Sequence, residues 1–363
     1  MAIPQVDVTR KTPTGRGIID CDVHNELDSD RDLYPYLSRR WRDHIDAYGI
    51  RYYTGSFYPR FMDHRADAWP PSGRRAGSEV AFARDHFLNR YDIACAILNP
   101  LTPVGRQPNL DLDAALATAV NDWQIAEWLD VEPRLLASMV IPYEDPPRAV
   151  EEIKRRGADK RFVQVLFLGR PHEPMGRRKY WPIYEACSTY GLHVASHAFF
   201  SAGNPITGAG HASYYIEDHI GPPQAMQANI TSMVVEGVFE HFPTLNVVSV
   251  ENGFGWVPAL MWRLDGSWKL LRGEVPHLKR PPSEHIREHL YLSTQPMEEP
   301  PRSKPRYFEQ LLEHYGYTDR LMFASDYPHW DGDSPEHAVP AYLSDEVKRR
   351  IFFENARALY RFT

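Results

Sequence analysis

The stretch Gly17-Ile-Ile-Asp-Cys-Asp-Val-His24 joins a short apolar segment to two residues that can bind metal ions. Its β-branched, apolar residues predict a buried strand. Asp22 and His24 lie two positions apart, so an extended backbone directs both side chains to the same face. A carboxylate oxygen and an imidazole nitrogen that converge can hold a divalent metal ion. We therefore expect this strand to begin the fold and to carry part of a metal site.

Seven further apolar segments of strand length follow, and a helical pattern comes after each of them. The predicted strands cover residues 17–21, 93–100, 134–142, 162–169, 193–200, 246–252, 289–295 and 320–325. Continuous apolar strands that alternate with helices indicate a parallel sheet covered on both faces, and eight such units favour a closed barrel. No G-x-G-x-x-G motif follows the first strand, which disfavours a dinucleotide-binding sheet. The prediction is an α/β protein whose residues 1–363 form one (β/α)₈ barrel domain.

Residues 25–90 interrupt this alternation without a clear strand. The segment is rich in tyrosine, tryptophan and phenylalanine, and its arginines include Arg51, Arg60 and Arg65. An insertion of this length is usually functional or disordered, and its aromatic content argues against disorder. Its arginines could clamp a substrate carboxylate. We expect the insertion either to lie over the barrel mouth as a lid or to form a contact between subunits.

Composition limits the classes of partner. The net charge is −7 and no basic stripe recurs, so nucleic acid is not an expected partner. The three cysteines are widely spaced within apolar segments, as expected of reduced core thiols in a cytosolic protein. Residues 1–16 carry no apolar signal region, and no apolar run approaches the roughly 20 residues that span a bilayer. We predict a cytosolic protein that acts on a small molecule, away from membranes.

In a barrel of this kind the active site lies at the C-terminal ends of the strands, and chemistry-bearing residues collect there. The predicted metal ligands are Asp22, His24, His197 and Asp326. The predicted catalytic residues are Asp326, Glu251 and His329, and the predicted substrate-binding residues are Arg170, His172, Asn252 and Gln295. His211 and His219 also lie on strand-to-helix loops and could line the pocket.

Mixed nitrogen and oxygen ligands suit one divalent ion, Zn²⁺ first, with Mn²⁺ and Fe²⁺ as alternatives. No predicted strand contains a lysine that could bridge two ions, so we expect a single ion. Such an ion lowers the pKa of a bound water toward ~7 and polarises a substrate oxygen. The leading prediction is hydrolysis of a small aromatic or cyclic substrate through this activated water. Asp326 would act as the base, and Glu251 or His329 would assist the leaving group.

Several segments together resemble the amidohydrolase-related family of the amidohydrolase superfamily, which includes aminocarboxymuconate-semialdehyde decarboxylase and γ-resorcylate decarboxylase. They are IIDCDVH at 18–24, HVASH at 193–197, the run from Phe242 to Asp265, MFASDYPH at 322–329 and FFENARALYRF at 352–362. The resemblance spans about residues 17–361 and implies a (β/α)₈ barrel with one catalytic metal ion, often zinc or manganese. It also implies a homodimer or a higher homo-oligomer.

The resemblance places the family's first-strand ligand pair at Asp22 and His24, its fifth-strand histidine at His197 and its eighth-strand aspartate at Asp326. The decarboxylases usually end the sixth strand in a histidine that assists proton transfer, and Glu251 stands there in this chain. A carboxylate can serve as a general base or a further ligand but has no cationic form. Non-oxidative decarboxylation of an aromatic or unsaturated acid is therefore the alternative to hydrolysis, with Asp326 or Glu251 delivering the proton. A third hypothesis is a barrel that binds or scaffolds without catalysis.

Overall fold

A computed structural model describes residues 17–50, 63–198 except 103 and 106, and 210–362 except 317. Arg51 and Arg60 lie outside these residues. Eight parallel strands pair in sequence order, β1 with β2 through to β7 with β8. They are β1 Ile18–Val23, β2 Ile93–Leu98, β3 Leu135–Val140, β4 Phe162–Leu168, β5 His193–His197, β6 Val247–Val250, β7 Leu290–Ser293 and β8 Leu321–Met322. The predicted (β/α)₈ barrel is confirmed.

Backbone hydrogen bonds between the β1 region and the chain that follows β8 close the barrel. The Cys21 N–H donates to Phe323 O at 3.0 Å, and the Asp326 N–H donates to Asp22 O at 3.0 Å. The His24 N–H donates to Tyr327 O at 2.7 Å. The prediction of a strand over 320–325 was too long, because regular pairing with β7 covers only β8 and the chain then turns towards β1. This closure brings the residues after β8 beside the end of β1.

Strand β1 contains an irregularity at the predicted site. Asp20 pairs with Ala96 and Val23 pairs with Leu98, so three steps along β1 match two along β2. An extra residue of this kind is a β-bulge, which re-aims side chains and is common beside active sites. The bulge falls at Cys21 and Asp22.

Thirteen α-helices lie within the described residues and connect or flank the strands. They are α1 Arg39–Tyr48, α2 Val80–Ala83, α3 Leu110–Trp123, α4 Pro146–Arg156, α5 Trp181–Tyr190, α6 Tyr215–His219, α7 Pro222–Val235, α8 Val238–His241, α9 Val257–Leu271, α10 Pro282–His289, α11 Arg306–Tyr315, α12 Asp345–Arg349 and α13 Asn355–Tyr360. Short 3₁₀ segments cover Asp30–Tyr36, Ala66–Ala68 and Arg178–Tyr180, and π-helical segments cover Arg84–Asn89, Gln124–Leu129 and Arg350–Glu354.

Local chemistry explains where several helices begin and end. The Asn109 side chain accepts hydrogen bonds from the N–H groups of Asp111 and Leu112 and so caps the start of α3. Gly237 adopts a φ of 81° and separates α7 from α8. Helix α10 was not predicted, and His289 ends this helix instead of starting β7. Its mostly polar sequence lacks the apolar period that marks a helix.

The apolar core has one layer between the sheet and the helices and another that includes residues of β1, β2 and the C-terminal helix. Ile19, Cys21 and Cys95 belong to the second layer together with Leu359 and Tyr360. All three cysteines are buried and free, as predicted. Among the described residues, no helix combines the length and apolarity needed to cross a bilayer.

Candidate active site

Five side chains meet at the C-terminal ends of the strands. Asp22 lies on β1 with His24 just after it, His197 ends β5, Glu251 follows β6, and Asp326 comes after β8. All five residues are buried. The structure therefore brings together every residue predicted as a metal ligand, and it adds Glu251 to them.

Glu251 and Asp326 both have left-handed backbone conformations, with φ of 57° and 58°. This region is uncommon for residues other than glycine, and such strain collects at functional sites. Each conformation is held by a hydrogen bond. The Glu251 N–H donates to Ser293 Oγ at 2.9 Å, and the Asp326 N–H donates to Asp22 O at 3.0 Å. The two carboxylates are thus positioned by fixed turns at the strand ends.

The imidazole Nε2 atoms face the carboxylates. His24 Nε2 lies 2.8 Å from Asp326 Oδ1 and 3.3 Å from Asp22 Oδ1. His197 Nε2 lies 3.3 Å from Asp22 Oδ2 and 3.4 Å from Glu251 Oε2. One donor atom each from Asp22, His24, His197 and Glu251 lies within 4.8 Å of the others. Asp326 forms a neighbouring group of the same kind with His24 and His329.

The second nitrogen of each histidine faces a backbone carbonyl. His24 Nδ1 lies 2.6 Å from Asn99 O, and His197 Nδ1 contacts Ala198 O. A carbonyl at Nδ1 fixes the tautomer that leaves the Nε2 lone pair available to a metal ion. Asn99 also donates from Nδ2 to Asp22 Oδ1 at 2.9 Å. Asn99 was not among the predicted site residues, although its position directly after β2 was a signal for it.

The donor set fits a divalent ion. His197 Nε2 and Asp22 Oδ2 are buried and have no hydrogen-bond partner. A buried polar atom left unpaired costs about 1–3 kcal/mol, so two adjacent ones point to a missing partner. Imidazole nitrogen and carboxylate oxygen together suit Zn²⁺, Mn²⁺ or Fe²⁺. Asp22, His24, His197 and one or both of Glu251 and Asp326 could hold such an ion.

The carboxyl groups of Glu251 and Asp326 have opposite tendencies to ionise. Burial and the nearby charge of Asp326 raise the pKa of Glu251 well above its usual range. Burial also opposes ionisation of Asp326, but the charge of His329 and hydrogen bonds from His24 and His329 outweigh it, so the pKa of Asp326 is lowered. Two carboxyls whose environments push their pKa values apart can divide acid and base roles.

Asp326 is held by further side chains. His329 Nδ1 lies 2.7 Å from Asp326 Oδ1, and its ring stacks on His24 with centroids 4.3 Å apart. Gln295 donates from Nε2 to Asp326 Oδ2 at 3.2 Å, while Gln295 Oε1 is buried without a hydrogen-bond partner. His329 and Gln295, predicted as catalytic and substrate-binding residues, are thus in direct contact with Asp326.

The other residues predicted to bind substrate lie in different settings. Asn252 is buried and donates to Ser196 O at 2.9 Å and to Val250 O at 2.7 Å, which holds the turn after β6. Arg170 is buried and forms an ion pair with Asp218 at 3.0 Å. His172 has a side chain that is 53% exposed, with Nδ1 3.5 Å from Glu144.

Helix α6 connects two loops at the mouth of the barrel. Its Asp218 pairs with Arg170 after β4, and its His219 pairs with Asp331 after β8 at 2.8 Å. Asp331 also forms a donor group with Glu251 and Asp326. Asp218 and Asp331 were not predicted, because single acidic residues at such positions carry no distinctive sequence pattern.

A cluster of histidines and carboxylates at the C-terminal ends of barrel strands is typical of metal-dependent (β/α)₈ enzymes. Comparison with known proteins agrees. The family model for amidohydrolases matches residues 19–362, so this chain belongs to the amidohydrolase family. The family resemblance found in the sequence is therefore confirmed.

Three relatives illustrate the similarity. The γ-resorcylate decarboxylase of Rhizobium sp. (strain MTP-10005) is 25% identical over 305 residues, which is 78% of this chain and 88% of that protein. An amidohydrolase structure from Mycobacterium avium subsp. paratuberculosis K-10 matches with a TM-score of 0.74 and 22% identity, over 95% of this chain and 99% of that one. A dihydroxybenzoic acid decarboxylase from Polaromonas sp. JS666, solved with manganese and 2-nitroresorcinol, has a TM-score of 0.64 and 18% identity, over 95% and 97% of the two chains.

Proposed function

We propose that this protein is a metal-dependent decarboxylase that removes CO₂, without oxidation, from an aromatic or unsaturated carboxylic acid. The similarity to γ-resorcylate decarboxylase over 88% of that enzyme's length supports this reaction. This similarity favours decarboxylation, which was the alternative prediction from the sequence, over hydrolysis, which was the leading one. The homo-oligomeric state and the cytosolic location remain predictions.

In this proposal Asp22, His24, His197 and Asp326 would hold one divalent ion. When bound, the ion would supply positive charge that stabilises the substrate's carboxylate. The hydrogen bonds from His329 and Gln295 orient Asp326. Zinc was the first choice from the sequence, and the manganese in the Polaromonas enzyme supports Mn²⁺ equally.

Glu251 is the observation that carries the proposal. Its carboxyl is buried 3.4 Å from His197 Nε2, at the position where the resemblance places the proton-transferring histidine, and burial favours the neutral form that can donate a proton. The Glu251 O–H proton passes to the ring carbon that bears the carboxylate. The bond from that carbon to the carboxylate breaks, CO₂ leaves, and Glu251 regains a proton from solvent. A carboxylic acid thus takes the part that the resemblance gives to a histidine.

The remaining site residues are proposed to position the substrate. The Arg170 guanidinium suits a second anionic or hydroxyl group through paired hydrogen bonds. The free Oε1 of Gln295 can accept a hydrogen bond from a substrate hydroxyl. Asn252 holds the turn that aims Glu251, and His172 contacts substrate at the outer rim.

A panel of hydroxylated aryl acids tests the reaction. The metal-loaded protein is assayed in D₂O for CO₂ release and for deuterium at the vacated ring carbon, and in ¹⁸O-water for oxygen incorporation. We expect one CO₂ and one ring deuterium per turnover and no ¹⁸O in the organic product. Labelled oxygen in the product without CO₂ would instead identify a hydrolase.

Glu251→Gln keeps the size of the side chain but removes the transferable proton. We expect it to lower CO₂ release at least ~100-fold while metal content stays unchanged. The matched control is Glu354→Gln, a surface residue paired with Arg349, which keeps full activity. Full activity in Glu251→Gln would assign the proton to another residue.

A further inference from the structure

A second group of metal-binding side chains lies beside the first, where the insertion meets the loop after β8. Glu26, His64 and His329 bring one donor atom each within 4.8 Å of one another. Backbone hydrogen bonds between residues 63–65 and residues 328–330 hold these side chains together. The Arg65 N–H donates to Pro328 O at 3.0 Å, and the Trp330 N–H donates to Asp63 O at 3.2 Å. His64 and His329 face each other as an antiparallel pair between these two bonds.

Each of the two histidines has a carboxylate close to its Nδ1 atom. His329 Nδ1 lies 2.7 Å from Asp326 Oδ1, and His64 Nδ1 lies 2.5 Å from Asp63 Oδ1. Histidines that bind metal ions in proteins commonly have a carboxylate, a carbonyl or a water at the other ring nitrogen. The carboxylate at Nδ1 orients the ring and raises the basicity of Nε2.

The strongest sign of a ligand is His64 itself. Its side chain is 1% exposed, and neither of its ring nitrogens forms a hydrogen bond, although Nδ1 forms an ion pair with Asp63. The nearest carboxylate oxygen, Glu26 Oε1, is 3.9 Å from Nε2, too far for a hydrogen bond. This separation leaves room for an ion that contacts both atoms. A buried histidine nitrogen that lacks a partner is costly unless something binds it.

The charges around this space favour a cation. Glu26, Asp63 and Asp326 contribute three carboxylates, and Arg75 contributes one positive charge. Arg75 lies 3.5 Å from Glu26 Oε2 and 3.3 Å from Asp63 Oδ2, so Oε1 of Glu26 stays available. Two imidazole nitrogens and one carboxylate oxygen are the ligands of a zinc site with an open position.

We propose that Glu26, His64 and His329 form a second divalent-cation site, beside the predicted catalytic ion and separate from it. The two sites are connected through Asp326, whose Oδ1 lies 2.8 Å from His24 Nε2 and 2.7 Å from His329 Nδ1. A cation held by His329 fixes that ring and, through it, the orientation of Asp326. This second site does not depend on the identity of the reaction.

Metal stoichiometry tests the proposal with Zn²⁺ alone as the probe. The full-length protein is stripped with a chelator, dialysed against graded free Zn²⁺ and analysed for bound zinc per chain. We expect two equivalents in the wild type. His64→Ala and the conservative Glu26→Gln each weaken one equivalent at least ~10-fold and leave the other unchanged. His197→Ala shows the converse, because it removes a ligand of the first cluster only.

His44→Ala is the control, since His44 lies in the same insertion but outside the cluster, between the rings of Trp41 and Tyr48. It keeps both equivalents. A wild type that saturates at one equivalent would overturn the proposal. So would a second equivalent that persists in both His64→Ala and Glu26→Gln. Neither result affects the decarboxylation assay, so failure of the second site and failure of the proposed reaction are distinguishable.

Discussion

Two pairs of buried histidines lie at opposite ends of the barrel, and they behave differently. His24 and His197 come from different strands at the C-terminal end, and their Nε2 atoms converge on shared carboxylates. His285 and His289 lie four residues apart on α10, at the N-terminal end of β7, in a H-x-x-E-H sequence. That spacing matches a motif of some zinc proteases.

The second pair does not form a site in this fold. The rings of His285 and His289 stack almost parallel with centroids 6.4 Å apart. Burial lowers the pKa of both, and nearby Arg280 adds to the effect at His285. Within the ranges that the structure covers, neither belongs to a group of three converging metal donors. Convergence from separate strands, more than spacing on one helix, decides which histidines can share an ion.

The largest expected effect is a loss of metal affinity when one histidine of the His24 and His197 pair is replaced, compared with no loss for the His285 and His289 pair. His197→Ala removes one nitrogen of the converging cluster and should weaken binding of the first metal equivalent by at least ~100-fold. His289→Gln at the far end should leave metal affinity unchanged. Equilibrium dialysis with Zn²⁺ measures both, and circular dichroism checks the fold. An equal loss of metal affinity in the two variants would show that the two pairs of histidines do not differ in metal binding.

A smaller effect is expected from the residue that supports the converging pair. Asn99→Ala removes the amide that donates to Asp22 Oδ1, so we expect metal affinity to fall by about 10–100-fold. Asn246→Ala is the counterpart at the other end, where the amide lies 3.5 Å from His193 Nδ1. Metal titration of the two variants compares them. Unchanged affinity in Asn99→Ala would leave Asp22 oriented by the backbone alone.

At the N-terminal end of the barrel, His193 is expected to make the stability of the protein depend on pH. Burial lowers the pKa of His193 to about 4, against 6.5 for the exposed group. Below pH 6.5 the unfolded chain therefore binds a proton that the folded protein does not. The free energy of unfolding should fall by about 2 kcal/mol between pH 6.5 and 5 because of this residue alone.

His193→Gln keeps an N–H that can donate to Leu359 O, which His193 Nε2 contacts at 3.0 Å. We expect this variant to lose less stability than the wild type over the same interval. Urea unfolding at the two pH values gives the difference. Parallel losses in both proteins would place the pH sensitivity elsewhere.

The smallest effect on stability is expected for His172, at the outer rim of the barrel mouth. His172→Ala should change the free energy of unfolding by less than ~0.5 kcal/mol, because its side chain is 53% exposed and exposed ion pairs contribute little. Metal affinity should not change. Thermal unfolding and zinc titration test both statements. A loss of bound zinc in this variant would instead indicate that His172 is a metal ligand.

Both the barrel and the central cluster could be predicted from the sequence, because both predictions depend on the same apolar strands. Apolar strands predict the barrel, and the polar residues that end β1, β5 and the β8 region then fall at its mouth. Asn99 was missed because one amide after a strand is common. Glu26 and His64 were missed because their approach to His329 depends on the pairing of residues 63–65 with 328–330. Pairing between distant loops leaves no periodic pattern in a sequence.

The closure of the barrel between β1 and the chain after β8 has a consequence for how the protein is made. His24 and Asp326 meet across 302 residues of sequence. During synthesis the first ligands leave the ribosome long before the last one exists. Loop closure over such a distance is slow, and partly folded chains of this size are populated. The complete cluster can therefore form only after Asp326 has been synthesised, so an ion held by all of these residues would bind after that point.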